Sequence, residues 1–136
     1  DLFFIQNINS ICLPITYSSL NWLINQMSGT IFVIEHKKII IGYIYCEDMN
    51  QSICHIMSFA ILPNYQNKGH GTQLINEVIK HASVNHIKTL SLNVHTENPA
   101  VKFYEKCGFT IQTKITNYYQ SLEPPNDAYY MTKVLN

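Results

Sequence analysis

Residues 65–72 read YQNKGHGT, between an apolar run, SICHIMSFAILP at 52–63, and a stripe of Leu74, Ile75, Val78, Ile79 and Ala82 at helical spacing. A strand that runs into a helix through Gly69 and Gly71 leaves the first backbone N–H groups of that helix bare. The glycines allow a sharp turn and the close approach of a ligand, and the helix adds the positive end of its dipole. Q-x-x-G-x-G at 66–71 is therefore a candidate phosphate-binding loop. No Lys followed by Ser/Thr comes directly after the last glycine, as a Walker loop requires, and the G-x-G-x-x-G of a dinucleotide site is absent. By itself the spacing fits an ordinary tight strand-to-helix turn equally well.

Outside this loop, composition sets limits. At 136 residues the chain reads as one domain, 1–136, large enough to bury a core without staples. Nine Lys+Arg balance nine Asp+Glu, and only 13% of residues are charged, so neither nucleic acid nor an anionic membrane is an expected partner. The adjacent Lys37 and Lys38 read as a solvated turn. Cys12, Cys46, Cys54 and Cys107 show no C-x-x-C spacing, which suits a reducing compartment. Cys54, His55, His70 and His95 lack the spacing of a zinc site, so no metal is expected. Without a membrane-length apolar run, and with a start, DLFFIQNINS, unlike a secretory signal, the expected location is cytoplasmic.

The periodicity predicts a helix over Leu2 to Cys12, a loop from Pro14 to Tyr17, and a second helix capped by Ser19. An antiparallel meander follows, Thr30 to Glu35, Ile39 to Glu47 and Ser52 to Ile61, broken by HKK and DMNQ. Next come a helix over Thr72 to Asn85 and a strand over Thr89 to Val94, whose Leu90, Leu92 and Val94 alternate with Ser91 and Asn93. Asn98 as N-cap, Pro99 at the first helical position and Gly108 as stop frame a helix over Ala100 to Cys107. Strands over Phe109 to Ile115 and Ala128 to Val134 close the chain around EPPND at 123–127.

The Gly loop, the upstream SICHIMSFAILP and the downstream LSLNVHTENPAVKFYEKCGF at 90–109 together resemble the GCN5-related N-acetyltransferase (GNAT) superfamily. LPITYS at 13–18 and NYYQSLEPPNDA at 117–128 are similar to the substrate loops of its San-type members, the catalytic subunits called NatE. The resemblance implies an α/β, single-domain GNAT fold, a mixed and mostly antiparallel sheet flanked by helices. That fold opens with a strand before its first helix, and few residues precede the helix here. Implied too are acetyl-CoA as cofactor, protein N-termini as substrate, and work within an N-terminal acetyltransferase complex at the ribosome.

Residue by residue, the resemblance assigns the backbone of Phe59, Ala60 and Ile61 to the pantetheine arm. Gln66, Asn67, Lys68, Gly69, His70, Gly71 and Thr72 are assigned to the pyrophosphate. Asn98 and Tyr104 match N-x-x-A-x-x-F-Y, shortened here by one residue, and place the Tyr104 hydroxyl near the sulfur. The San-type Tyr and His that order a catalytic water correspond to His55 and Asn93. Histidine titrates near 6.5 and an α-amine near 8, so His55 suits the role of base; Asn93 can only position, and His95 on the same face is a reserve base. Leu13, Pro14, Ile15 and Tyr17, with Met57, Tyr118, Tyr119 and Leu122 opposite, would form the acceptor pocket, and strand alternation predicts that His55 and Met57 share a face.

The expected activity is acetylation of the α-amine of chains that begin with Met followed by a hydrophobic residue. Its rivals are acetylation of lysine or a small amine on the same fold, and a subunit that binds acetyl-CoA without chemistry.

Overall fold

Lys37 and Lys38 both adopt positive φ, 50° and 66°, which a two-residue turn between twisted antiparallel strands demands. They join β1 (Thr30–His36) to β2 (Ile39–Asp48), which pairs in turn with β3 (Ile53–Ile61). The computed structural model describes residues 29–50, 52–120 and 122–135. The two expected N-terminal helices, and Leu13, Pro14, Ile15 and Tyr17, lie outside the described residues.

After β3 a short 3-10 turn, Pro63–Tyr65, leads to α1 (His70–Val84), β4 (Thr89–His95), α2 (Ala100–Lys106), β5 (Thr110–Ile115) and β6 (Ala128–Val134). The sheet order is β1-β2-β3-β4-β6-β5. Among the described strands only β3 and β4 pair in parallel, because α1 provides the crossover that returns the chain to the same end of the sheet. From Thr30 onward the element order matches the sequence reading. The main shift is at α1, which starts at His70 rather than Thr72 because Gly69, at φ 88°, turns the chain into the helix and puts Gly71 and Thr72 in its first turn.

Ile44, Cys54, Ile56, Leu90, Leu92, Val94 and Met131 face one side of the sheet and pack with Leu74, Ile75, Val78 and Ala82 of α1. Tyr104 and Phe109 extend this core beneath α2. On the opposite face Tyr43 is buried, with its hydroxyl 2.7 Å from Ser58 Oγ and its acidity suppressed by burial to a pKa of about 12.

Alternation along β3 does not survive to its end. Cys46 opposes Ile56 and Tyr45 opposes Ser58, so Met57 has no partner on β2 and forms a β-bulge. Cys54 and Ile56 point to the core before the bulge, but Phe59 and Ile61 do so after it, and Ser58 joins the face of His55. Alternation from His55 to Met57 precedes the change of parity, and both residues line the cavity between β3 and β4; Met57 is the extra residue at which the parity changes.

Candidate active site

Pairing between β3 and β4 runs from Ile53↔Thr89 to Ile56↔Leu92 and then stops, although β3 continues to Ile61 and β4 to His95. The stop falls immediately before the Met57 bulge, and a bulge bends the strand that carries it. The strands part, and a cavity of about 350 Å³ opens between them. Its walls come from both faces of the sheet. Phe59, Asn98 and Tyr104 approach from the helix side, and His55, Asn93, His95, Tyr118, Tyr119 and Leu122 from the other.

His55 and Ser91 are partners in the parallel register, and His55 Nδ1 lies 2.7 Å from Ser91 Oγ. The other ring nitrogen, Nε2, lies 3.5 Å from Asn93 Nδ2. An amide NH2 can only donate, so with Asn93 in this orientation Nε2 carries the lone pair and Nδ1 the hydrogen. Burial lowers the pKa of His55, opposed by the nearby Glu47 carboxylate. The imidazole is therefore neutral at neutral pH. Asn93 Nδ2 also donates to the Tyr118 hydroxyl at 3.3 Å, while Asn93 Oδ1 is buried with no hydrogen-bond partner. An orphaned acceptor in a cavity is a place for a ligand N–H.

His95 is differently engaged. Its Nδ1 accepts the Glu97 backbone N–H at 3.1 Å, which leaves Nε2 to donate to the Pro125 carbonyl at 2.7 Å. With both nitrogens occupied it fastens the β5–β6 connection to β4, and the expectation of a reserve base is corrected on that ground. Tyr119 packs on the His95 ring at 5.5 Å and edge-on to Tyr118 at 4.8 Å. The buried Asn126, absent from the sequence reading, ties this connection together. Its Nδ2 donates to Asn117 Oδ1, and its carbonyl accepts the Tyr119 N–H. Only the loop composition EPPND hinted at such a residue.

Tyr104 is 8% exposed, amid Phe59, Phe103 and Phe109 with ring centroids 5.6 to 6.1 Å away. Burial raises the pKa of its phenol, so it stays protonated and able to donate. Asn98 Oδ1 accepts the Ala100 N–H at 2.9 Å, the capping role expected of it, while the residue also lines the cavity.

The Gly loop is outside the cavity lining. Gln66 does not point its side chain to a ligand: Nε2 donates to the Ile61 carbonyl at 2.9 Å and ties the loop to the end of β3. Asn67 and Gly69 both have positive φ. Gln73 N–H makes the first bond to the cap, on Gly69 O at 3.1 Å, and no side chain caps the amides ahead of it. The two glycines differ in purpose. At Gly69 a Cβ would have open space but a strained backbone, whereas at Gly71 it would meet Phe103 at 3.0 Å and Phe59 at 3.2 Å. Lys68 Nζ sits 6.0 Å from the Tyr65 ring centroid, and the His70 ring centroid lies 6.3 Å from the same ring.

A family model described as Acetyltransferase (GNAT) family matches residues 5–109. The chain is 26% identical to "Probable N-acetyltransferase san" of Drosophila melanogaster, over 96% of this chain and 74% of that protein. It is 27% identical to "N-alpha-acetyltransferase 50" of Danio rerio, over 96% of this chain and 81% of that protein. Among solved structures, Arabidopsis thaliana Naa50 in complex with the bisubstrate analogue CoA-Ac-MVNAL superposes with a TM-score of 0.75 at 28% identity, covering 98% of this chain and 92% of that one.

Proposed function

This chain belongs to the acetyltransferase (GNAT) family, and from that premise we propose that it acetylates the N-terminal α-amine of proteins that begin with Met and a hydrophobic residue. The observation that carries the reading is the cavity in the β3–β4 gap, where a neutral histidine, an orphaned amide oxygen and a protonated phenol line one space. Two features fit acetyl-CoA. Beyond Ile56 the edge of β3 has no β4 partner and can take an extended amide-bearing arm, and the α1 mouth offers uncapped amides. Phe59, Ala60 and Ile61 would hold the arm, with the amides of 67–72 and Lys68 at the phosphates and Gln66 shaping the loop. Acetyl-CoA supplies the activated thioester.

In this reading Asn93 Oδ1 accepts one N–H of the substrate amine and orients it. His55 Nε2 takes the proton that the nitrogen loses as its bond to the acetyl carbon forms. As the carbon–sulfur bond breaks, Tyr104 donates its O–H proton to the sulfur, and the proton on His55 returns to the phenolate through solvent. Tyr118, Tyr119, Leu122 and Met57 offer an apolar wall to the first side chain, with Leu13, Pro14, Ile15 and Tyr17 proposed opposite. A Met side chain suits such a wall, and the Naa50 analogue carries a peptide that begins with Met. The cytosol, where chains first expose their N-termini, is the proposed location.

The test is CoA release with peptides varied at their first two positions, each with a free or blocked α-amine. Met-Leu should exceed Ser-Leu by at least about tenfold, and blocking should abolish turnover. Efficient acetylation of an internal lysine in a blocked peptide would sink the α-amine assignment. Tight acetyl-CoA binding with no turnover of any amine would sink catalysis.

A further inference from the structure

We propose that Ser91 is a positioning residue whose buried hydroxyl holds the Nδ1 edge of His55, and so keeps the Nε2 lone pair turned to the cavity. The proposal rests on the reading of His55 as the base. In a parallel pair, residues in register project the same way, and His55↔Ser91 is such a pair, one step before pairing ends at Ile56↔Leu92. The step matters. Ser91 lies where the strands are still hydrogen-bonded and rigid, while the Nε2 side of the ring faces the gap.

Ser91 is 1% exposed, so water cannot replace its oxygen as partner to Nδ1. At 2.7 Å the bond is short for a neutral pair and would strengthen as the ring gains a proton, because an imidazolium N–H donates more strongly than an imidazole N–H. Asn93 constrains the other edge by pointing Nδ2 at Nε2. Asn93 from the free end of β4 therefore selects the tautomer, and Ser91 from its paired part, whose hydroxyl can donate or accept, takes the resulting Nδ1–H as acceptor. Glu47 of β2, opposite His55 in the antiparallel register, is the charged group that faces the ring.

Without the Ser91 oxygen, the buried Nδ1–H loses its acceptor, and the ring gains by moving its hydrogen to Nε2, where it can reach an amide or water in the cavity. That tautomer cannot accept a proton from an amine in the gap. Ser91→Ala should therefore lower kcat roughly tenfold with little change in the KM for acetyl-CoA, and Ser91→Thr, which keeps the oxygen, should retain most of the rate.

A readout free of turnover is the nitrogen-15 NMR spectrum of His55 in the ligand-free protein. The wild type should show Nδ1 protonated and Nε2 bare at pH 8, and Ser91→Ala should shift the population to Nε2–H. An Nε2–H tautomer in the wild type overturns the proposal even if neither variant folds. Equal losses of kcat in Ser91→Ala and Ser91→Thr, with an unaltered tautomer, reduce Ser91 to a packing residue. Full turnover in His55→Phe instead removes the base reading itself, whereas an inactive His55→Phe beside an unaffected Ser91→Ala removes only the role of Ser91.

Discussion

At the scale of single residues, the site depends on which protons burial permits. A histidine accepts a proton only while neutral, and burial makes the imidazolium of His55 costly, so its pKa lies below the ordinary value near 6.5. Glu47 pulls the other way but is the smaller influence. The sign follows: activity is present above the folded pKa and falls as pH drops through it. At saturating peptide two acidic limbs are expected in kcat: one from the substrate α-amine, which attacks only when neutral and ordinarily titrates near 8, and one from His55, below pH 6.5. His55→Phe should lose about a hundredfold or more. A limb below pH 6.5 that persists unchanged in His55→Phe would place the base elsewhere. Histidine and asparagine in consecutive strands were visible as candidates in the sequence; the bond from His55 to Ser91 was not, because parallel register depends on the length and path of α1. For the same reason His95, identical in type and on the same face, could not be set apart from His55 until Pro125 was found against its ring.

At the scale of elements, the Met57 bulge separates β3 into a paired half and a free half. Deleting Met57 would remove the extra residue and keep Ser58 opposite Tyr45 and Phe59 opposite Ile44, so every remaining side chain keeps its face. The strand would lose its bend, and pairing with β4 could run on past Ile56. A Met57 deletion should therefore fold, with a cooperative melt, yet bind acetyl-CoA at least about tenfold more weakly by calorimetric titration. Unchanged affinity would show that the gap does not depend on the bulge. Bulges leave almost no trace in a sequence: HIMSFAI alternates acceptably as an unbroken strand, and only the register with β2 exposes the change of parity. Helix ends were far more legible, because Asn98, Pro99, Gly69 and Gly108 act through local backbone geometry.

At the scale of the whole molecule, a ligand that bridges β3, the α1 mouth and α2 binds the folded chain alone and must stabilise it. Acetyl-CoA at about a hundred times its Kd should add roughly 2.7 kcal/mol, a rise in Tm on the order of 5 to 10 °C for a domain of this size. A melting curve that acetyl-CoA leaves in place would contradict the binding reading. The sequence by itself determined the order of elements from Thr30 onward, the glycine turn into a helix, the apolar stripes and the balance of charge, since each is written in neighbouring residues or in composition. Only the tertiary structure decided which polar residues meet. Ser91 is 36 positions from His55 and Tyr118 is 25 from Asn93, and they touch because a crossover and a self-bonded loop return the chain to one gap in the sheet. Separation in sequence carries no distance in space, so the elements were readable locally while the site waited on the register of β3 against β4.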